Sequence, residues 1–374
     1  MIDDKNTHFK IGGLKKHYWR NYCFVKKICL VLCIILILFF SSVFNMPSYK
    51  IENSTQLNEE VKMLYASGQQ TSVFNSEKDV LYSSSVCDSK GVEMHNFDIH
   101  MPLTEPPQNG FPAVITIHGG AFIDGEKEDF DYITPLLIDN DCIHINMNYR
   151  LISDIPSSNG NYYLDMLEDI STLVSFIYKN SNMYNIDVNK IILMGYSSGG
   201  NLALVYGLNN YVYEDKNNPE NNIPFKGIIT EGAPMFSDID IKNGIAYYNN
   251  SSYVQDASIH HKLSSMLCKS TLTYDDLEIV NPLCLSTYKC KNVKLIQGTG
   301  IKYNDDDNYD NDNGDALVPI TEALSLKFRI NDDDCEVITF KNCFHSEYEM
   351  FVLRKPEFHD IFVDTLHSVI DREN

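Results

Sequence analysis

Residues 190–204 read KIILMGYSSGGNLAL. Ile191 to Met194 have the length and composition of a short buried strand. Gly195-Tyr196-Ser197-Ser198-Gly199 follows, and then a helical stretch from Asn201 to Leu208. The letters fit G-x-S-x-G, but the order strand, turn, helix carries more weight than the letters. A serine at such a turn sits in a strained backbone conformation, and its neighbours must lack bulk. The turn also aims the helix N-terminus at the serine, which favours negative charge there. Ser197 is therefore the candidate nucleophile. A plain Ser/Gly turn is the simpler reading, and the rest of the chain has to decide between them.

A serine hydroxyl is a poor nucleophile at neutral pH. It needs a base, an acid that orients the base, and donors for the oxyanion. Upstream, Val114 to Ile117 form an apolar strand that ends in His118-Gly119-Gly120-Ala121-Phe122. A strand running into HGG plus a small residue matches an oxyanion loop, whose backbone N–H groups face the developing charge. Only glycine lets the backbone approach that closely. Gly119, Gly120 and the N–H of Ser198 are the expected donors, and His118 is expected to order the loop. Ala121, Phe122 and Tyr196 flank these groups and are expected to line the substrate pocket.

The base should follow the serine. His345 stands in Cys343-Phe344-His345-Ser346, just after the strand pattern CEVITF, where a catalytic loop would lie. His260 and His261 are rivals within an irregular stretch. The acid should lie between serine and base. Asp315, in Gly314-Asp315-Ala316-Leu317-Val318-Pro319, follows the strand pattern NVKLIQG and precedes a helix. An Asp there also reads as a plain N-cap. Asp305, Asp306, Asp307, Asp310 and Asp312 crowd the same loop, and Glu231 ends the preceding strand pattern. Asp315 is preferred because its loop joins the right strand and helix. The chain order Ser197, Asp315, His345 suits this arrangement.

Around these motifs, apolar strand patterns alternate with helical ones. HNFDIHM, AVITIHGG, CIHINMNYR, IILMG, KGIITEG, NVKLIQGTG and CEVITF read as strands. YYLDMLEDISTLVSFIYKN is helical, with Leu164, Leu167, Ile170, Leu173, Val174 and Ile177 on one face. Further helices are expected from Pro319 through Phe328 and from Pro356 to Ile370. This alternation predicts an α/β fold, a mostly parallel twisted sheet with helices on both faces. Residues 234–289 interrupt it as a lid-like insertion. Residues 301–314, IKYNDDDNYDNDNG, read as a solvated acidic loop, because Tyr309 stands where a calcium loop needs its first ligand.

Together these residues resemble the α/β-hydrolase fold, and within it the hormone-sensitive-lipase-like esterases, kynurenine formamidases and related carboxylesterases. The resemblance rests on HGGAF at 118–122, NYRL at 148–151, GYSSGGN at 195–201, DALVP at 315–319 and His345, and spans roughly residues 90–370. It implies a serine hydrolase that cleaves carboxylic esters, of small acyl or lipid-like substrates, through an acyl-enzyme. An amidase or peptidase of the same fold, and a catalytically silent binding protein, are the alternatives. Two departures stand out: residues 301–314 lengthen the connection before the acid, and Ala121 replaces the third glycine of HGGG. No metal or cofactor is expected, and no C-x-x-C pair or His/Cys cluster suggests zinc.

Composition bounds the rest. The chain has 374 residues, 44% of them hydrophobic, which is enough for a large core. Its net charge of −21 repels phosphate backbones and argues against a nucleic-acid partner. The first fifty residues nevertheless carry +6, which leaves −27 for the remainder. Beside that basic end lies ICLVLCIILILFFSSVF, residues 28–44, and no charge appears between Lys27 and Lys50. Such an interval reaches the ~20 residues of a membrane-spanning helix. Lys10, Lys15, Lys16, Arg20, Lys26 and Lys27 precede it, so the positive-inside rule places the N-terminus in the cytoplasm.

The expected organisation is a basic cytoplasmic tail (1–27), a signal anchor (28–46), a stalk (47–75) and a hydrolase domain (76–374), lumenal or extracellular. A cleaved signal peptide leading to secretion, or a buried helix, are the competing readings. Asn53-Ser54-Thr55 and Asn249-Asn250-Ser251-Ser252 offer glycosylation acceptors. Beyond the anchor region stand seven cysteines, of which Cys268, Cys284 and Cys290 are the expected local pairing set.

Overall fold

The computed structural model describes residues 73–88, 90–152, 157–158, 160–209, 225–235, 279–285, 288, 290–299, 301–302, 309–310, 318, 320–331, 333–341, 343, 348 and 356–372. All belong to the compact unit Tyr65–Asn374. The strands are β1 (Phe74–Leu81), β2 (Asn96–Pro102), β3 (Phe111–Ile117), β4 (Ile143–Met147), β5 (Ile186–Tyr196), β6 (Gly227–Glu231), β7 (Val293–Thr299), β8 (Ile301–Lys302), β9 (Tyr309–Asp310) and β10 (Cys335–Lys341). The helices are α1 (Thr134–Asp139), α2 (Tyr162–Tyr184), α3 (Ser198–Asn209), α4 (Ile320–Ile330) and α5 (Pro356–Ile370). A 3-10 helix, Lys127–Ile133, leads into α1.

Eight strands form one sheet in the order β1-β2-β4-β3-β5-β6-β7-β10. The β1–β2 and β2–β4 pairs are antiparallel and all others are parallel. The predicted mostly parallel sheet is therefore present. Its central strands read as unbroken apolar runs because both faces are covered. On one face Ala113, Ile115, Ile117, Ile191 and Leu193 pack with Leu167, Ile170 and Ile177 of α2 and with Leu204 of α3. On the other, Val114, Ile192, Met194, Ile229 and Ile296 meet Phe130, Leu137, Phe362 and Leu366 of the 3-10 helix, α1 and α5. Alternate residues of a strand point to opposite faces, so each run feeds two cores.

Local chemistry sets the ends of α2. The Asn161 side chain accepts from the backbone N–H groups of Tyr163 (2.9 Å) and Leu164 (3.2 Å), a regular N-cap. Asn185 closes the helix in the left-handed region at φ 55°. Its carbonyl then accepts from Phe111 N at 2.7 Å, which joins the helix end to the start of β3.

Several elements differ from the sequence reading. β1 begins at Phe74, inside the stretch read as stalk, and its burial alternation is weak because it is an edge strand. β5 begins at Ile186, five residues before its apolar run. Its polar first half carries no hydrophobic period, and the pairing with β3 shifts register between Phe111 and Ala113. Within the acidic segment, Ile301 pairs with Asp310 and Lys302 with Tyr309 as a two-rung antiparallel ladder. The expected local cysteine bridge is not made between Cys284 and Cys290. Cys284 Sγ instead takes the Asn281 amide at 3.2 Å, while Cys290 is a buried thiol facing the Phe225 carbonyl at 4.0 Å. Cys268 lies outside the described residues, as do the anchor 28–46 and most of the insertion 234–289. Among the described residues, no helix is long and apolar enough to cross a membrane.

Candidate active site

Ser197 occupies the single residue between β5 and α3, with φ 52°. A non-glycine residue there bears strain of about 1–3 kcal/mol, and the surroundings must over-determine it. They do. Ser197 N donates to the Glu231 carbonyl at 2.9 Å, and Asn201 N donates to the Ser197 carbonyl at 3.1 Å. The flanking glycines are required by space. A Cβ on Gly195 would stand 2.3 Å from the Gly199 carbonyl oxygen, and one on Gly199 only 2.0 Å from that of Ile117. The strand, the helix and β3 therefore approach more closely than any side chain permits.

That approach brings two of the sequence motifs together. A Cβ on Gly119 would lie 3.2 Å from Ser197 Cβ and 2.8 Å from the Tyr196 ring. Gly119 is thus in contact with the candidate nucleophile, although 78 residues separate them in the chain. The loop beyond it is strongly bent, with Gly120 at φ 108°, Ala121 at 54° and Phe122 at 67°. Gly120 is obligatory, because a Cβ there would sit 1.8 Å from the Asp124 carbonyl oxygen. Phe122 is turned into the core, edge-on to Tyr163 at 6.0 Å between ring centres. Its carbonyl accepts from Ile152 N at 2.9 Å, so the stretch after Tyr149 holds the loop from behind.

His118 has the ordering role expected of it. It is fully buried and stacks on Tyr149 at 4.3 Å. Its Nδ1 donates to the Gly119 carbonyl at 2.8 Å, and the Tyr149 hydroxyl donates to the His118 carbonyl at 2.8 Å. Burial pushes the imidazole down to about 4, so it is neutral and unsuited to proton transfer near pH 7. His144 in β4 is likewise buried, held well below its ordinary value and bonded to Thr116 (2.9 Å) and Thr134 (2.7 Å).

Both histidines titrate lower in the folded chain than the ordinary ~6.5. As pH falls below that value the unfolded chain takes up protons that the folded chain refuses, so this part of the stability is lost on acidification. We expect urea midpoints to drop between pH 7 and pH 5, with a slope of about 1.4 kcal/mol per pH unit for each histidine once below ~6.5. His144→Gln should flatten the slope; an unchanged slope would contradict the assignment.

Asp315 and His345 lie outside the described residues. Their described neighbours do converge on this rim of the sheet. Val318, three residues after Asp315, is buried and its carbonyl accepts from the Gln297 side chain of β7 at 2.5 Å. Tyr348, three residues after His345, packs edge-on to Tyr196 at 6.0 Å and accepts at its hydroxyl from Gly298 N at 2.7 Å. Glu231, the rival acid, is buried at the end of β6, where its carboxylate accepts from the Tyr132 hydroxyl at 3.1 Å.

Sequence reasoning missed three supporting groups. Asn201 receives the Tyr163 hydroxyl at 2.6 Å and donates to the Pro234 (2.9 Å) and Val280 (3.0 Å) carbonyls. It thereby binds both flanks of the insertion to the helix that follows the candidate nucleophile. Arg150 ties its guanidinium to Asp169 (2.6 Å) and Glu168 (2.9 Å), and His95 reaches Asp169 at 3.1 Å. Tyr149, described above, is the third. The only available signal was the wording NYR and GGN beside motifs already noted, which assigns no role.

Comparison with known proteins agrees with this geometry. Residues 97–282 match the BD-FAE family model. AB hydrolase superfamily protein C1039.03 of Schizosaccharomyces pombe is 28% identical over 108 residues, which is 29% of this chain and 30% of that protein. Esterase LipI of Mycobacterium tuberculosis is also 28% identical over 108 residues, 29% of this chain and 32% of its own length. The alignments thus span about a third of these relatives. The crystal structure of esterase B from Lactobacillus rhamnosis superposes with a TM-score of 0.58 at 16% identity, covering 84% of this chain and 90% of that one. Strand order, the strand–turn–helix serine and these matches together show that the chain has the α/β-hydrolase fold.

Proposed function

We propose that the protein is a carboxylic ester hydrolase acting on small acyl or lipid-like esters. The observation that carries this reading is Ser197, held at φ 52° between β5 and α3 with Gly119 against it. Ser197 Oγ attacks the ester carbonyl and His345 takes its proton. Backbone N–H groups of Gly119, Gly120 and Ser198 receive the oxyanion, each donor contributing on the order of 3 kcal/mol to the transition state. His345 then protonates the departing alkoxide, leaving an acyl-serine. Water, deprotonated by His345, attacks that acyl group, and Ser197 is regenerated. Asp315 holds the imidazole in the required tautomer. Ala121 and Tyr196 border the acyl group. Relatives named as esterases support the reaction class.

The test is a panel of acetyl, butyryl and octanoyl nitrophenyl esters beside an arylformamide and a dipeptide amide, with fluorophosphonate labelling. Ester turnover with the label on the Ser197 peptide is expected. A protein silent on every ester, or labelled elsewhere, overturns the proposal. Asp315→Asn is expected to lower kcat by about 10⁴-fold. Should Glu231→Gln do so instead, the acid belongs to β6. The reading extends to the N-terminus, where residues 28–46 anchor the chain with the catalytic domain lumenal or extracellular. Resistance to alkaline carbonate extraction, with protease access to the domain only from that side, is the expected result.

A further inference from the structure

One face of β2 and β4 carries polar groups where its neighbours carry core. Asp98, His100, His144 and Asn146 are all buried there, and Asp98 is directly opposite Asn146 across the β2–β4 ladder. Asp131, from the 3-10 helix, closes over them. One ligating atom each of Asp98, His100 and Asp131 lies within 4.8 Å of the other two.

Three buried atoms in this cluster make no hydrogen bond: His100 Nε2, Asn146 Oδ1 and Asp98 Oδ2, the last of which has only the ion pair to Lys78 at 3.3 Å. Leaving such atoms unpaired costs about 1–3 kcal/mol each, so a concentration of them calls for a reason. Their chemistry is the same. The Asn146 Nδ2 donates to the Lys127 carbonyl at 3.0 Å and to Asp131 Oδ1 at 2.8 Å, which turns its Oδ1 towards this face as an acceptor. Ser76 Oγ stands 2.7 Å from His100 Nδ1, and with the proton on Nδ1 the Nε2 presents its lone pair. With His100 in that tautomer, two carboxylates, an imidazole and an amide oxygen supply acceptors only, whereas with the proton on Nε2 the ring would donate to the Asn146 side chain. One water donates just two hydrogens and cannot satisfy the set.

Charge points the same way. Among the described residues, Asp79, Asp98, Glu128 and Asp131 share two cations, Lys78 and Lys127. The group therefore carries an excess of two negative charges. Lys127 is buried and committed to Asp98 Oδ1 at 3.0 Å, Asp79 and Glu128. Lys78 is half exposed and stands 3.3 Å from Asp98 Oδ2 and 4.0 Å from Asp131 Oδ2.

The geometry points to a divalent transition-metal site formed by Asp98, His100 and Asp131, with the Asn146 amide oxygen beside it and Lys78 as its removable guard. One imidazole nitrogen with carboxylate oxygens suits Zn²⁺, Co²⁺ or Mn²⁺ better than Ca²⁺ or Mg²⁺. Ligand bonds of about 2.0–2.2 Å require the three atoms to draw together from their present spacing, which side-chain rotation on Asp131 permits. The ring of His100 is already fixed, edge-on to Phe74 at 5.5 Å and stacked on His144 at 5.6 Å. The ion would pin β2, next to the edge strand β1, to the 3-10 helix that follows the HGG loop. Its role is structural and separate from Ser197.

The test uses full-length, untagged protein titrated with Co²⁺ and Zn²⁺, read by visible ligand-field absorption and calorimetry. One saturable equivalent is expected, with a raised melting temperature. His100→Gln and Asp131→Asn should each lose that equivalent, and Lys78→Ala, at an exposed position, should bind at least tenfold more tightly. No saturable binding, or an equivalent that survives both ligand substitutions, overturns the proposal. So does Lys78→Ala with unchanged affinity.

Discussion

Ser197→Ala should fold as the wild type does and lose ester hydrolysis by roughly 10⁴- to 10⁶-fold in kcat, together with all fluorophosphonate labelling. The loss is large because in the proposed mechanism the hydroxyl is the attacking group, and the neighbouring serine cannot replace it. Ser198, next along, is buried as the first residue of α3. The fold should be indifferent because alanine keeps the Cβ and accepts the same φ of 52° with the same strain. Ser197→Gly separates strain from chemistry. It should be equally inactive yet more stable than Ser197→Ala by about 1 kcal/mol, since glycine enters the left-handed region freely. Residual labelling of Ser197→Ala, or equal melting temperatures for the two variants, would show that the elbow does not work in this way.

The second large effect is expected at Gly199. Gly199→Ala places a methyl 2.0 Å from the Ile117 carbonyl oxygen and 2.3 Å from that of His118. Both obstacles are backbone atoms at the end of the central strand β3, so nothing can swing aside. Either α3 must lift from β3 or the strand end must move, and each would part Ser197 from Gly119. A loss above about 4 kcal/mol in unfolding free energy is expected, at the extreme of single substitutions. Gly91→Ala is the control. That glycine has φ 85° with nothing within 4 Å of the new methyl, so only the backbone cost of about 1–2 kcal/mol applies. Urea denaturation of the two variants decides the matter. Similar losses would mean that conformation, and not contact, requires glycine at the elbow.

Both predictions depend on a close approach that no local pattern contains. G-x-S-x-G and HGG could be read from the chain because each needs small residues at fixed spacing. The partners of those glycines could not. Gly199 faces Ile117, and Gly119 faces Ser197, across parallel strands whose connection runs through α1, β4 and α2. The alternation of apolar runs with helical ones announced the layered sheet and its covered faces. It did not announce β1 or the first half of β5, where an edge position and a register shift remove the hydrophobic period. Asn201 and Arg150 were equally silent. A polar side chain reveals its role through the atoms it meets, here the two flanks of an insertion and the acids of α2.

The sequence by itself therefore determined the class of fold, the strand–turn–helix around Ser197, the glycine loop and the charge asymmetry of the N-terminus. Each of these is written in neighbouring residues or in a regular period. Only the tertiary structure decided that the two glycine motifs touch, that His118 is a neutral buried brace, and that Asp98, His100 and Asp131 share one face. Those facts arise when strands distant in the chain are laid side by side. A pair spaced D-x-H on β2 looks like any other strand pattern until a second carboxylate arrives from the 3-10 helix thirty residues on.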